Sequence, residues 1–386
     1  MNRDQFRTPA PEIRRASTVL FGSVAELRAT MDAMHGGDRT MSVYGTLGTP
    51  TTLALEQVLL PREGGDGVVF SASGLGAIAV AMFALAKAGD HVLVTDSVYS
   101  PARRLCTALL ARLGVDVEYY DPLIGAGISE RIRPTTSFIW MESPGTHTFE
   151  VQDVPAIVAA ARAADHRVVT VIDHTWGSPG LFLPFDHGVD VAVVALTKYW
   201  SGHSDVLMGA TFAIDELLPA MREAQELLGQ CANGEDAWLV IRGARTVDLR
   251  LATCGATALE LARRLEEHPR IGRVLHPGLP SDPGHALWKR DFHGSSGLFG
   301  IEILGLDGGP ASDVEADVVA DRLVARGHFG LGYSWGGFES LCMPGHMSEM
   351  VRLVRPWTGG QLMRLSIGLE PVDLLWADLE AALGAD

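Results

Sequence analysis

Apolar residues in this chain collect into short runs from Val68 onward: VVF, HVLVTD, VDVEYY, TSFIWME, RVVTVID and VDVAVVAL. Each is rich in β-branched or aromatic residues and ends at a turn former, as strands buried on both faces do. Between them the apolar positions return at helical spacing, in LGAIAVAMFALAKAG, SVYSPARRLCTALLARLG and VPAIVAAARAAD. This alternation predicts an α/β fold with a mostly parallel central sheet of about seven strands, covered on both faces, between Val68 and Ile214. Ligands of such sheets bind at the carboxyl ends of the strands.

The pattern differs on either side of that core. Residues 1 to 50 are polar and broken apart from SVAELRATMDAM, and an arm of this kind frays or packs on another subunit. TTLALEQVLL then reads as a helix. Residues 235–267 read as one long helix linking two domains. Beyond it come a strand GLFGIEIL, a helix DVEADVVADRLVARG, a loop GYSWGGFESL, a strand LMRLSIG and a final helix VDLLWADLEAALG, a smaller C-terminal α+β domain. The expected division is an arm over 1–50 that contacts the partner subunit, a large domain over 51–245 and a small domain over 246–386.

The 386 residues exceed what one core usually organises, which supports two domains. A net charge of −16 argues against nucleic acid or an anionic membrane as a partner. No apolar stretch is long enough to span a bilayer. Four scattered cysteines without ligand spacing read as reduced thiols, and the N-terminal residues contain no apolar signal core, so the expectation is a cytoplasmic protein.

The candidate chemistry sits at strand ends. Lys198 follows VAVVAL and Thr197; a buried lysine has a depressed pKa and can form a Schiff base, although most lysines are simply at the surface. Ser71 to Ala79, SASGLGAIA, joins a strand to a helix and offers free backbone N–H groups to an anion, with Gly74 and Gly76 allowing a phosphate close to the backbone. The same stretch contains a GxGxxA pattern, with Asp90 and Asp96 placed as a ribose acid would be, so an NAD-dependent dehydrogenase is an alternative that leaves Lys198 unexplained. Asp173 ends VVTVID and suits either a protonated ring nitrogen or a helix cap. Tyr99 can cover a flat ring or pack in the core. Arg364 lies inside an apolar strand and needs an anion, from a ligand carboxylate or from an internal acid. No hydrolase elbow or zinc motif occurs, so no metal is expected.

Taken together, VIDHTW, TKYWSGHSD, YSWGGFESL and RLSIGLE resemble the Cys/Met-metabolism PLP enzymes of the aspartate-aminotransferase-like fold, PLP fold type I. DPLIGAGI, MESPGT, DVPAIVAA, HPGLP and WKRDFHGSSGLF extend the likeness over nearly the whole chain, toward the bacterial subgroup that cleaves cystathionine. The resemblance implies pyridoxal 5′-phosphate held covalently by Lys198, with Asp173 on the pyridine nitrogen and Tyr99 on the ring. Ser73, Gly74, Leu75 and Thr197 would hold the phosphate. Arg364 would take the substrate carboxylate with help from Tyr333, Ser334 and Trp335. Tyr44 would reach the neighbouring subunit's site in a homotetramer built as a dimer of dimers. The implied activity is β-elimination of L-cystathionine to homocysteine, pyruvate and ammonia, with a broader cysteine-conjugate lyase or a γ-lyase or γ-replacement enzyme as alternatives. Two departures stand out. The family commonly has a phosphate-binding arginine two positions after the tyrosine, where this chain has Thr46, and often an asparagine where it has His174.

Overall fold

The computed structural model describes residues 8–38, 40–345 and 351–384. The arm carries α1 (Val24–His35), started by the Ser23 hydroxyl accepting from the Glu26 N–H. A second helix, α2 (Pro50–Glu63), starts at Thr49, which exchanges side-chain and backbone bonds with Thr52. Such a reciprocal cap satisfies two otherwise orphaned donors. Both match the helical patterns read from the sequence, and α2 runs on to Glu63.

The chain then lays down β1 (Gly67–Ser71), α3 (Gly74–Leu85), β2 (His91–Thr95), α4 (Ser100–Leu105), β3 (Asp116–Tyr120), β4 (Thr136–Glu142), α5 (Val154–Arg162), β5 (Val169–Asp173), β6 (Val191–Ala195) and β7 (Gly209–Ala213). These strands form one seven-stranded sheet in the order β1-β7-β6-β5-β4-β2-β3. The neighbours among β2 to β6 are parallel, and β7 lies antiparallel between β1 and β6. Alternate residues of β4 feed opposite cores: Ile139 and Met141 pack into one, Phe138 and Trp140 into the other. Full burial of side chains this large contributes about 1.5–3 kcal/mol each. That two-sided burial is why the strands read as continuous apolar runs.

One predicted helix is shorter than its pattern. Of SVYSPARRLCTALLARLG only Ser100–Leu105 is α-helical, followed by a π-helical turn at Cys106–Leu110 and a 3-10 turn at Ala111–Leu113. Residues 97–99 stay out of the helix because their backbone bonds go elsewhere: Val98 N closes a turn on Thr95 O at 3.2 Å, Ser97 O accepts from Thr146 N at 2.9 Å, and Tyr99 N donates to Glu142 at 2.6 Å.

The remainder carries α6 (Leu218–Leu227), α7 (Gly234–Ala244), α8 (Val247–Glu266), β8 (Ile271–Leu275), α9 (His285–Asp291), β9 (Leu298–Ile303), α10 (Asp313–Arg326), β10 (Phe329–Leu331), β11 (Ser340–Gly345), β12 (Leu362–Ser366) and α11 (Val372–Leu383). A second sheet of five strands runs β10-β11-β12-β9-β8. Its Phe299, Ile301, Met363 and Leu365 share a core with Leu261 of α8, Leu323 of α10 and Leu379 of α11. The pattern at 235–267 is two helices rather than one. The Gly243 carbonyl, which a continuous helix would spend on residue 247, instead accepts from Thr246 N at 3.1 Å and from Arg250 Nη2 at 2.9 Å. Arg250 Nη1 also donates to Tyr199 O at 2.9 Å, so the break fixes the turn that follows β6. Among the described residues no helix is long and apolar enough to cross a membrane.

Gly243 lets α7 rest directly on that turn: a Cβ there would lie 2.3 Å from Ser201 O and 2.4 Å from Trp200 O. Alanine gains up to about 1 kcal/mol of helix propensity over glycine, whereas overpacking against fixed backbone costs about 1–3 kcal/mol. Gly243→Ala is therefore expected to destabilise the fold by about 1–2 kcal/mol net, read from the midpoint of denaturant unfolding.

Candidate active site

The carboxyl ends of β1, β2, β4, β5 and β6 all point to one edge of the first sheet, and each delivers a polar residue there. Register brings them together. Glu142 and Asp173 are paired across β4 and β5, and both Ser71 of β1 and Ala195 of β6 lie opposite Gly209. A Cβ on Gly209 would sit 2.4 Å from the Ser73 carbonyl, and one on Gly74 2.8 Å from the Ala195 methyl. The small residues of β7 thus let the turn before α3 close onto the end of β6.

At that turn Ser73 caps α3, its hydroxyl accepting from Gly76 N at 3.1 Å while its carbonyl accepts from Ala77 N at 3.1 Å. The first two N–H groups of the helix, those of Gly74 and Leu75, have no acceptor within the helix and face outward with the positive end of its dipole. Thr197 stands opposite, its hydroxyl donating to Met208 O at 3.2 Å and accepting from Met208 N at 3.0 Å.

Lys198 lies in the turn after β6, its N–H bonded to Ala195 O at 3.1 Å. Its Nζ donates to Ser334 Oγ at 2.9 Å and stands 5.1 Å from the centre of the Trp335 ring. Burial, followed by the nearby Arg364 charge, lowers its pKa from 10.5 to about 8, with Asp173 pulling the other way. Lys198 is thus no surface lysine. Gly336, at φ 80°, packs against the Lys198 backbone, where a Cβ would approach within 3.2 Å.

Asp173 accepts from Thr175 N at 3.0 Å and Thr175 Oγ1 at 2.6 Å, and that hydroxyl also accepts from Ala195 N at 3.0 Å. Burial raises the Asp173 pKa, against the lowering effect of the Thr175 bonds, His174 and Lys198. Glu142 beside it is pushed up to about 8 by burial and by the Asp173 charge, despite bonds from Thr146 and Tyr99. Two neighbouring carboxyl groups on paired strand ends disfavour each other's ionisation, which helps hold both above the usual carboxylate range. Tyr99 is 43% exposed, and partial burial together with the Asp173 and Glu142 charges raises its pKa, so the phenol stays protonated.

Arg364 comes from β12. Its Nη2 donates to the carbonyls of Gly332, Tyr333 and Ser334 at 3.2, 2.6 and 3.0 Å, which fixes the loop that presents Ser334 and Trp335. Among the described residues it has no acidic partner, so the internal ion pair is not what it makes. Its Nε is buried with no acceptor, and burial lowers its pKa to about 10. Tyr333 itself is 83% exposed, offering only its carbonyl to Arg364.

Of the expected set Tyr44 stands apart, as does Thr46, the position at which the resemblance expects an arginine. Tyr44 and Thr46 lie on the arm around the 3-10 turn Gly45–Leu47, both exposed, and among the described residues no hydrogen bond joins either to the strand-end group. The dinucleotide alternative also loses its acids. Asp90 accepts from Lys87 N in a surface turn at 2.8 Å, and Asp96 is consumed by Arg103 and by the N–H groups of Leu353, Val354 and Arg355. Sequence reasoning missed Glu142, although it ends an apolar strand as Asp173 does. It also missed Thr175, two residues past the acid it orients.

The chain matches, over residues 1–384, the family described as Cys/Met metabolism PLP-dependent enzyme. It is 40% identical over 374 residues to cystathionine β-lyase MetC of Escherichia coli strain K12, covering 96% of this chain and 92% of that protein. Identity to cystathionine β-lyase of Bordetella avium is 41% over 373 residues, 96% of this chain and 90% of that one. An L-alanine/L-glutamate racemase of Wolbachia pipientis wMel is 38% identical over 380 residues, 97% and 92% of the two chains. The crystal structure of metB from Corynebacterium glutamicum superposes with a TM-score of 0.87 at 26% identity, covering 98% of this chain and 94% of that chain. The strand-end lysine and acids therefore sit in a fold shared with enzymes of sulfur amino acids, and the chain belongs to the Cys/Met metabolism PLP-dependent enzyme family.

Proposed function

We propose that the protein is a carbon–sulfur β-lyase that cleaves L-cystathionine to homocysteine, pyruvate and ammonia. The observation that carries this reading is Lys198: a buried amine, lowered to about 8, held by Ser334 between a buried acid pair and a guanidinium with a free edge. The family's cofactor, PLP, fits what these residues offer. The Gly74 and Leu75 N–H groups at the start of α3 suit its phosphate, with Ser73 and Thr197 beside them. The Asp173 carboxylate, held by Thr175 alone among the described residues, suits the ring nitrogen. Tyr99 suits the ring face.

When bound, PLP supplies an electron sink for the charge that develops at the substrate Cα. The protein's own part is positional and protonic. Arg364 offers its unpartnered Nε edge to the substrate carboxylate, and its Nη2 keeps the 332–334 loop in place. Lys198 Nζ, close to half neutral at about pH 8, takes the Cα proton and is steered by Ser334 Oγ. Asp173 would face the ring nitrogen, with Glu142, raised to about 8, protonated on the neighbouring strand end. The Cβ–S bond then breaks with its electron pair going to sulfur, which leaves as homocysteine after gaining a proton. Water converts the remaining three-carbon fragment to pyruvate and ammonia. A racemase shares the first proton removal and returns the proton to the opposite face, so departure of sulfur distinguishes the two activities.

The same reading assigns the arm, with Tyr44, to the active site of a neighbouring subunit in a homotetramer. It places the boundary between large and small domains at 245/246, where α7 and α8 break. It locates the protein in the cytoplasm, in keeping with four free cysteines.

Pyruvate and homocysteine are expected in equal amounts from L-cystathionine. Lys198→Ala should lose at least about 1,000-fold in kcat, and borohydride should fix PLP on Lys198 in the wild type only. Racemisation of L-alanine faster than pyruvate release from cystathionine would replace the lyase reading, and a panel of cystine, S-alkyl cysteines and O-acetylhomoserine separates the broader lyase and γ-replacement activities. Arg364→Lys, which keeps the charge but not the fork, should raise KM by about 10–100-fold.

The acid pair gives a pH signature in the cofactor-free protein. Glu142 has a folded pKa raised from 4.5 to about 8, so its contribution is fully present below about pH 4.5 and is lost as pH rises toward 8. Glu142→Gln should remove a stability decline on the order of 2 kcal/mol between about pH 5 and 8, measured by urea unfolding.

A further inference from the structure

Near the strand ends lies a third buried acid, one that the proposed chemistry does not use. Glu63 is the last residue of α2, and its carboxylate is fully enclosed. Oε1 accepts from Trp200 Nε1 at 2.6 Å and from the Ser178 hydroxyl, and Trp200 Nε1 also reaches Ser178 Oγ at 2.9 Å. Oε2 lies 3.2 Å from His174 Nε2, close enough for an ion pair but off the line of a hydrogen bond. The His174 ring is fully buried, with Phe182 tilted beside it at 6.5 Å.

These partners are not scattered in the chain. His174 adjoins Asp173, and Trp200 stands two residues after Lys198. One carboxylate therefore touches both segments that carry the central pair of the site, and the Thr175 hydroxyl, which bonds Asp173 and Ala195, makes a separate tie between them. A buried charge is costly, and apolar replacements of similar volume often fold as well or better. Stability alone therefore gives little reason for Glu63, whereas a fixed separation between Asp173 and Lys198 does. Orientation errors of about 1 Å can cost about 100-fold in rate.

We propose that Glu63 is a positioning residue of the active site, a buried clamp that fixes the Lys198 turn against the Asp173 strand end through Trp200 and His174. The inference rests on Lys198 and Asp173 being the residues that hold PLP.

The test compares Glu63→Gln and Trp200→Phe with Leu59→Ala. Leu59 is fully buried one turn earlier in α2 and, being apolar, makes none of the clamp's hydrogen bonds, so it reports the cost of lost packing in the same core. Three quantities are measured for each protein: the PLP dissociation constant from dialysed enzyme, kcat and KM on cystathionine, and the melting temperature without PLP. Both clamp variants are expected to weaken PLP binding by about 10-fold and to lower kcat by about 10-fold, with KM within about twofold. Leu59→Ala should melt at least as early yet keep PLP binding and kcat within about twofold of wild type. Trp200→Phe removes the lysine side of the clamp and leaves Glu63 Oε1 its bond from Ser178, so it decides the matter should Glu63→Gln not fold. Unchanged PLP binding and kcat in Trp200→Phe would overturn the proposal, as would losses in Leu59→Ala equal to those of the clamp variants. Failure of the underlying assignment shows separately, as a wild type in which borohydride fixes no PLP on Lys198.

Discussion

The structure around the strand ends depends on how four ionisable groups share one buried space. Lys198 and Arg364 bring positive charge, Asp173 and Glu142 negative charge, and burial works against the charged form of each. The two cations are lowered, to about 8 and about 10, and both acids are raised. None is neutralised by a simple ion pair with another among the described residues. The result is a site whose charges are partly spent on local hydrogen bonds and partly left for a ligand. Asp173 has Thr175, Lys198 has Ser334, Arg364 has three carbonyls and an empty Nε. A flat ligand with a basic ring nitrogen, an aldehyde and an anionic tail, joined to an amino acid, complements all of them together.

Holding such groups apart requires backbone that approaches closely and does not yield. Small residues supply it: Gly209 under Ser73, Gly74 against Ala195, Gly336 against Lys198, Gly243 against Trp200 and Ser201. Each lets one segment rest on another's main chain, where an extra methyl group would meet fixed atoms rather than a movable side chain. The second sheet adds the remaining piece. Arg364 sits mid-strand in β12, opposite Met343 and Gly300, and its guanidinium holds the loop that delivers Ser334 to Lys198. The guanidinium expected to bind substrate therefore also shapes the partner of the reactive amine, so losses at Arg364 spread to both.

Much of this was legible because strands buried on both faces leave a strong apolar signal, and a polar residue at the end of such a run stands out. Asp173, Lys198, Tyr99 and the turn at Ser73 were all found that way, and Arg364 as a charge inside an apolar strand. Glu142 carries the same signal and was passed over, because MESPGT counted only toward the family resemblance. Glu63 carries no local signal at all: an acid in the last turn of an amphipathic helix reads as solvent-facing, and only tertiary packing shows it enclosed. The strands β8, β10 and β11 and helix α9 were missed for a related reason. They are short, and exposed positions such as Gly272 and Arg273 interrupt their apolar pattern. The single helix read at 235–267 failed because its periodicity survives a break that Arg250 and Gly243 impose through hydrogen bonds.

Thr46 brings the energetic consequence of this arrangement into view. A charge-assisted bond contributes about 1.5–3 kcal/mol, a factor of about 10–150 in affinity, and the residue at this exposed position of the arm supplies none. On the proposed assignment, non-covalent hold on the phosphate then falls to the Gly74 and Leu75 N–H groups and the α3 dipole, worth about 0.3–1 kcal/mol in exposed geometry and up to about 2 when partly buried. Retention of the cofactor rests correspondingly more on the bond to Lys198 and on the Asp173 contact to the ring. Both of these depend on the spacing between the β5 and β6 ends. On that assignment the fixed distance between Asp173 and Lys198 serves cofactor retention as well as proton transfer, and Glu63 bonds to one of the two segments and closely approaches the other.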